Sequence, residues 1–62
     1  MEITRTSVFT GITRTIDLPI TVEQIQKYEQ GALLQDAFRN LTREEREFYK
    51  TGATQEEWDA LQ

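Results

Sequence analysis

The side chains of this 62-residue chain that could do chemistry are carboxylates, hydroxyls, lysine and arginine, because cysteine and histidine are both absent. Two carboxylate pairs, Glu44 with Glu47 and Glu56 with Asp59, have the i, i+3 spacing that puts two acids on one helical face. Such a pair could serve a hydrolase or hold a divalent cation. A simpler cause accounts for both: acids are favoured in the first turn of a helix, where unpaired amides and the helix dipole leave partial positive charge. The composition excludes a thiolate nucleophile, an imidazole base and the common structural zinc sets, and no Gly-rich phosphate loop is present. The expectation is a non-enzyme that needs no cofactor or metal and works by binding.

Candidate contacts follow from the remaining residue types. Arg5 and Arg14 lie among Thr4, Thr6, Thr13 and Thr15, so a two-stranded ribbon could offer guanidinium and hydroxyl donors to phosphates or base edges. Glu2 and Asp17 offset those charges, and a net charge of −4 argues against binding driven by phosphate neutralisation. Nucleic-acid contact through Arg5 and Arg14 is therefore the alternative reading. For a protein partner the candidates are Tyr49, Trp58 and Arg46. Phe48 and Tyr49 diverge by about 100° on a helix, so Phe48 is expected inside and Tyr49 outside. Trp58 either covers the core as a lid or stands as an exposed anchor. Arg46 has Arg43 and Lys50 as like-charged helical neighbours, and is expected to be held by a carboxylate or carbonyl elsewhere, with Asp17 and Asp36 the acidic candidates.

These residues need elements to position them. Residues 2–9 are rich in Thr, Val, Ile and Phe and predict a strand, followed by a turn at Thr10-Gly11. Residues 12–20 alternate, with Ile12, Arg14, Ile16, Leu18 and Ile20 on one face and Thr13, Thr15, Asp17 and Pro19 on the other. The two make a hairpin. Beyond it, a threonine is three times followed at the third position by Gln or Glu: Thr21 with Gln24, Thr42 with Glu45, Thr54 with Glu57. Each is a capping box, and together they predict helix starts near 22, 43 and 55. The first helix carries Val22, Ile25 and Tyr28 on one stripe and stops at Gly31. A short helix over 32–39 offers Leu34, Ala37, Phe38 and Leu41 to a core, and the third is punctuated by Gly52. The fold class is α+β: one domain over 1–62, with a hairpin at 2–20 and a helical part at 21–62 holding three to four short helices.

A chain so small has few ways to bury more surface, and oligomerisation is one of them; a homodimer through the hairpin is expected. No stretch reaches the roughly 18–20 apolar residues of a membrane span, and no apolar signal core follows Met1-Glu2-Ile3-Thr4-Arg5. The expected location is the cytoplasm.

Leu34-Gln35-Asp36-Ala37-Phe38, Leu41-Thr42, Glu45-Arg46-Glu47-Phe48, Thr51-Gly52 and Glu57-Trp58 resemble a group of short proteins encoded by bacteriophages and other mobile elements. Arg14-Thr15-Ile16-Asp17-Leu18-Pro19-Ile20-Thr21 with Glu23-Gln24 extends the likeness upstream. Arg39 departs from it, standing where a proline is expected. The resemblance implies an accessory protein with no assigned activity, and raises the prior for one that occupies a host surface. The leading expectation is an adaptor or inhibitor that binds a host or phage protein in the host cytoplasm. The alternatives are a ribbon-type nucleic-acid binder and a minor structural or assembly component.

Overall fold

The computed structural model describes residues 1–61. An antiparallel hairpin of β1 (Glu2–Thr6) and β2 (Thr13–Asp17) leads into four helices: α1 (Val22–Glu29), α2 (Leu34–Ala37), α3 (Arg43–Thr51) and α4 (Gln55–Ala60). The α+β architecture is the one the sequence predicts, with shorter strands. β1 stops at Thr6 because Ser7–Ile12 form a six-residue loop in place of a tight turn at Thr10-Gly11. β2 stops at Asp17, and the next residue, Leu18, closes the ladder by donating to the Met1 carbonyl at 2.9 Å.

All three capping boxes form. Thr21, Thr42 and Thr54 accept from the amides of Gln24, Glu45 and Glu57, whose side chains reach back to the cap amides. Thr42→Ala is therefore expected to destabilise by roughly 1 kcal/mol in a urea melt. Gly52 ends α3 in the left-handed conformation, φ +76°, and donates its amide to the Phe48 carbonyl at 2.8 Å. α2 is one turn long and starts at Leu34, after Leu33 and with no side-chain cap.

The register pairs Ile3 with Ile16 and Arg5 with Arg14, so one face of the ribbon carries Ile3, Arg5, Arg14 and Ile16. That face packs on the helices. The other carries Thr4, Thr6, Thr13 and Thr15, all exposed, with hydroxyls paired across the strands at 2.7 Å (Thr4, Thr15) and 2.9 Å (Thr6, Thr13). The core gathers Ile3, Leu18, Ile20, Ala37, Phe38, Leu41, Phe48 and Tyr49. Leu34, Ala37, Phe38 and Leu41 all face it as their spacing predicts, and Phe38 is fully buried. Val22 does not. It lies 58% exposed at the first position of α1, leaving Ile25 and Tyr28 as that helix's contribution.

The expected outward turn of Tyr49 is corrected. It is buried at 8% exposure, with its ring 4.7 Å from Phe38 and 5.9 Å from Tyr28 between centroids. The 100° between Phe48 and Tyr49 does separate them, but the core wraps α3 widely enough to take both, and the hairpin covers the side that a helical wheel leaves open. Arg5 seals it, with its guanidinium carbon 4.6 Å from the Tyr49 ring centroid and its Nε donating to the Tyr49 carbonyl at 3.0 Å.

Candidate interaction site at the hairpin loop

The loop Ser7–Ile12 is short of regular structure but not of hydrogen bonds. Every one of its six backbone amides has an acceptor. Ser7 donates to the Ile12 carbonyl, Val8 to the Thr51 carbonyl and Gly11 to the Ser7 carbonyl. Phe9 and Thr10 donate to Ser7 Oγ, and Ile12 donates to Thr10 Oγ1. Gly11 supplies the positive φ, +74°, that the return to β2 requires.

One carboxylate fixes this loop to the far end of the chain. Glu57, on the first turn of α4, accepts from Ser7 Oγ at 2.8 Å and Thr10 Oγ1 at 2.5 Å through Oε2. Through Oε1 it accepts from Arg14 Nη1 at 2.6 Å and the Thr54 amide at 3.0 Å. Ser7 is buried at 3% exposure to reach it. The Glu57 side chain is itself only 9% exposed, and that of Arg14 28%. The Thr10 hydroxyl, then the Thr54 amide, then Ser7 and Arg14, hold the carboxyl at about 2, against an ordinary 4.5, and outweigh the opposing effect of burial.

The hydrogen-bonded loop keeps apolar side chains in water. Val8 is 68% exposed, Ile12 50% and Phe9 40%. Phe9 meets Trp58 edge to face, with centroids 4.8 Å apart and planes at 81°. Trp58 is half-buried, so it is a lid on the loop rather than a free-standing anchor. Its Nε1 is buried and finds no acceptor among the described residues. Trp58 also lines an open cleft of about 490 Å³ with Arg43, Glu44, Glu47 and Gln55. Leu61, 60% exposed, follows one turn later.

The other sequence candidates fall elsewhere. Arg46 is half-buried on α3 and, among the described residues, its side chain donates only to the Leu41 carbonyl, through Nη1 at 3.4 Å. Neither acidic candidate meets it, and Asp17 instead accepts from the Met1 ammonium at 2.9 Å. Arg5 and Arg14 both turn toward the helices. Arg5 is bonded to the Thr4 and Tyr49 carbonyls and Arg14 to Glu57, so both guanidiniums are partly engaged within the fold. Glu44 and Glu47 share the cleft wall, and among the described residues no three acids converge as a metal ion would need.

Sequence reasoning missed Glu57, Ser7 and Thr10 as a unit, and Val8, Phe9 and Ile12 as exposed apolar side chains of one loop. The available signal was Arg14, a charge on the apolar face of a strand, which required an acid from outside the hairpin. Comparison with protein-family models, with curated proteins and with solved structures gives no match.

Proposed function

We propose that this chain is a non-enzymatic accessory protein of a phage or mobile element that docks on a host or phage protein in the cytoplasm and modulates it. The observation that supports this most is the loop itself: six satisfied amides and a carboxylate hub hold Val8, Phe9 and Ile12 in solvent beside Trp58. A fold gains nothing from ordering exposed apolar side chains. A binding surface does, because the ordering cost is met before the partner arrives. Exposed Glu56 and Asp59 are sequence neighbours of Glu57 and Trp58 on α4, so a partner surface that combines an apolar recess with basic residues would be complementary. The likeness to small phage proteins supplies the setting. Self-association through the hairpin belongs to the same reading, although the apolar face of β2 is spent on the chain's own core.

The test is affinity capture from host lysate with wild type and with the Val8→Ser, Ile12→Ser double variant. Wild type is expected to retain a protein that the variant loses by at least about tenfold in affinity. The variant's own stability should stay within roughly 0.5 kcal/mol, since both positions are open surface. Between 50 and 200 mM salt the complex should change little, whereas a phosphate-driven complex with several backbone contacts would weaken by orders of magnitude. Capture of nucleic acid with that steep dependence would support the ribbon reading, and co-purification with particles an assembly role. Capture indifferent to the double variant would remove the loop from the interface.

A further inference from the structure

We infer that the outer edge of β2 pairs with the same edge of a second copy of this chain, antiparallel about Thr15, so that two hairpins form one four-stranded sheet. This rests on the self-association in the proposed function and specifies where it occurs; it does not depend on the loop patch.

The orientation of the backbone follows from the ladder. Ser7 donates to Ile12 at one end and Leu18 to Met1 at the other. Bonded and non-bonded pairs alternate in an antiparallel ribbon, so Arg5 with Arg14 and Ile3 with Ile16 are the bonded pairs between those ends. The amides and carbonyls of Thr4 and Thr6 then point out from β1, and those of Thr13, Thr15 and Asp17 point out from β2. The close hydroxyl contacts of Thr4 with Thr15 and Thr6 with Thr13 fit this assignment, because side chains approach more closely at non-bonded pairs.

The two edges differ in what covers them. On β1, Arg5 Nη1 donates to the outward Thr4 carbonyl at 2.8 Å, and the α3 terminus lies against Thr6, so close that a Cβ on Gly52 would stand 2.5 Å from the Thr6 oxygen. α3 packs chiefly on β1. On β2, no hydrogen bond among the described residues engages the outward amides or carbonyls of Thr13, Thr15 or Asp17, and all three residues are exposed. β2 contains no lysine, proline or bulge; its inward-pointing charge, Arg14, is already paired with Glu57, and Asp17 meets the Met1 ammonium.

The edge is complementary to itself. A two-fold axis at Thr15 sets Thr15 opposite Thr15, Thr13 opposite Asp17 and Arg14 opposite Ile16, with about six hydrogen bonds and no like charges opposed. Sliding the pairing two residues one way sets Ile16 on Ile16 and leaves Thr13 facing Pro19, which has no amide; sliding it the other way sets Arg14 on Arg14 and leaves Asp17 facing the loop at Gly11, where the backbone is no longer extended. Only the centred register uses all three outward residues. It also carries the two loops to opposite ends of the sheet, so the dimer presents its apolar patches at two separate points.

Sedimentation across low to high micromolar concentration, with amide exchange followed by NMR, tests this. The expected result is conversion of the 7.3 kDa monomer to twice that mass, with the Thr13, Thr15 and Asp17 amides becoming protected as the dimer forms. Thr15→Pro removes an amide that the β1 ladder does not use and is tolerated on an outward-facing edge. Thr15→Lys opposes two ammoniums across the axis. Each variant is expected to keep the monomer's circular dichroism and to raise the dimer dissociation constant at least tenfold. A monomer at every concentration would end both the self-association and the edge pairing. A dimer that leaves those three amides unprotected, or that survives both variants, would keep self-association and overturn this edge. Protection appearing only when another protein is added would overturn the second copy as occupant. Should the variants fail to fold, the wild-type exchange pattern alone decides.

Discussion

Gly52→Ala is expected to cost about 2–4 kcal/mol, read as a fall in the urea midpoint, out of a total that for this length is roughly 3–9 kcal/mol. Two penalties add. The residue sits at φ +76°, which an L side chain resists, and its new methyl would lie 2.5 Å from the Thr6 oxygen, 2.6 Å from the Thr6 carbonyl carbon and 2.9 Å from the Ser7 nitrogen. These are backbone atoms, which cannot rotate aside, so hairpin and α3 must separate. Gly11→Ala isolates the conformational part, because Gly11 has nearly the same φ, +74°, with nothing within 4 Å of the added carbon. It should lose about 1 kcal/mol or somewhat more. Equal losses at the two positions would mean that the contact between α3 and β1 yields easily.

Glu57→Gln should lower the melting temperature by more than Thr42→Ala does, although glutamine serves as well as glutamate in a capping box, as Gln24 does at Thr21. The cap survives; the charge that Arg14, Ser7 and Thr10 converge on is lost. The pH dependence identifies that charge as the cause. Because the folded carboxyl is held at about 2, below its ordinary 4.5, its contribution is complete above pH 4.5 and drains away as pH falls through 2. The wild-type advantage over Glu57→Gln should therefore be constant at neutral pH and close progressively between pH 4.5 and 2. An advantage that persists unchanged to pH 2 would assign the effect to packing. The variant's loop should also exchange its Phe9 and Thr10 amides faster, since Ser7 and Thr10 lose their anchor.

Glu57 shows why part of the fold was legible in the sequence and part was not. Its role as the third residue of a capping box depends on Thr54, three positions away, and such local pairings reveal three helix starts without any tertiary information. Its second role depends on Ser7, Thr10 and Arg14, and nothing local distinguishes a carboxylate that only caps from one that also reaches across the molecule. Tyr49 was obscured in a related way. Helical geometry fixes its angle to Phe48, but not how far the core extends around α3, which is set by the hairpin and the Arg5 guanidinium. The strand ends failed for a third reason: Ser7, Val8 and Phe9 have strand-like composition, yet after Ser7 the amides of Phe9 and Thr10 turn back onto the Ser7 hydroxyl, which closes the loop and ends the pairing. The protein-contact candidates fared unevenly: Trp58 lies against Phe9 of the loop, Tyr49 is inside the core, and Arg46 donates to the carbonyl next to its own helix cap.

The reach of Glu57 also bears on how the chain is made. Its partners precede it by 50, 47 and 43 residues, so during synthesis the hairpin emerges long before the residue that ties down its loop. Until α4 is complete, Val8, Phe9 and Ile12 hang on an unanchored segment and β2 offers its bare edge to any neighbouring strand. The nascent chain thus passes through an interval in which its most adhesive surfaces are exposed and its fastening is still unmade. Contacts so far apart in sequence are slow to form, because loop closure must be met before they reward it. The last helix works as a latch: its arrival turns a loose hairpin into a surface with one shape.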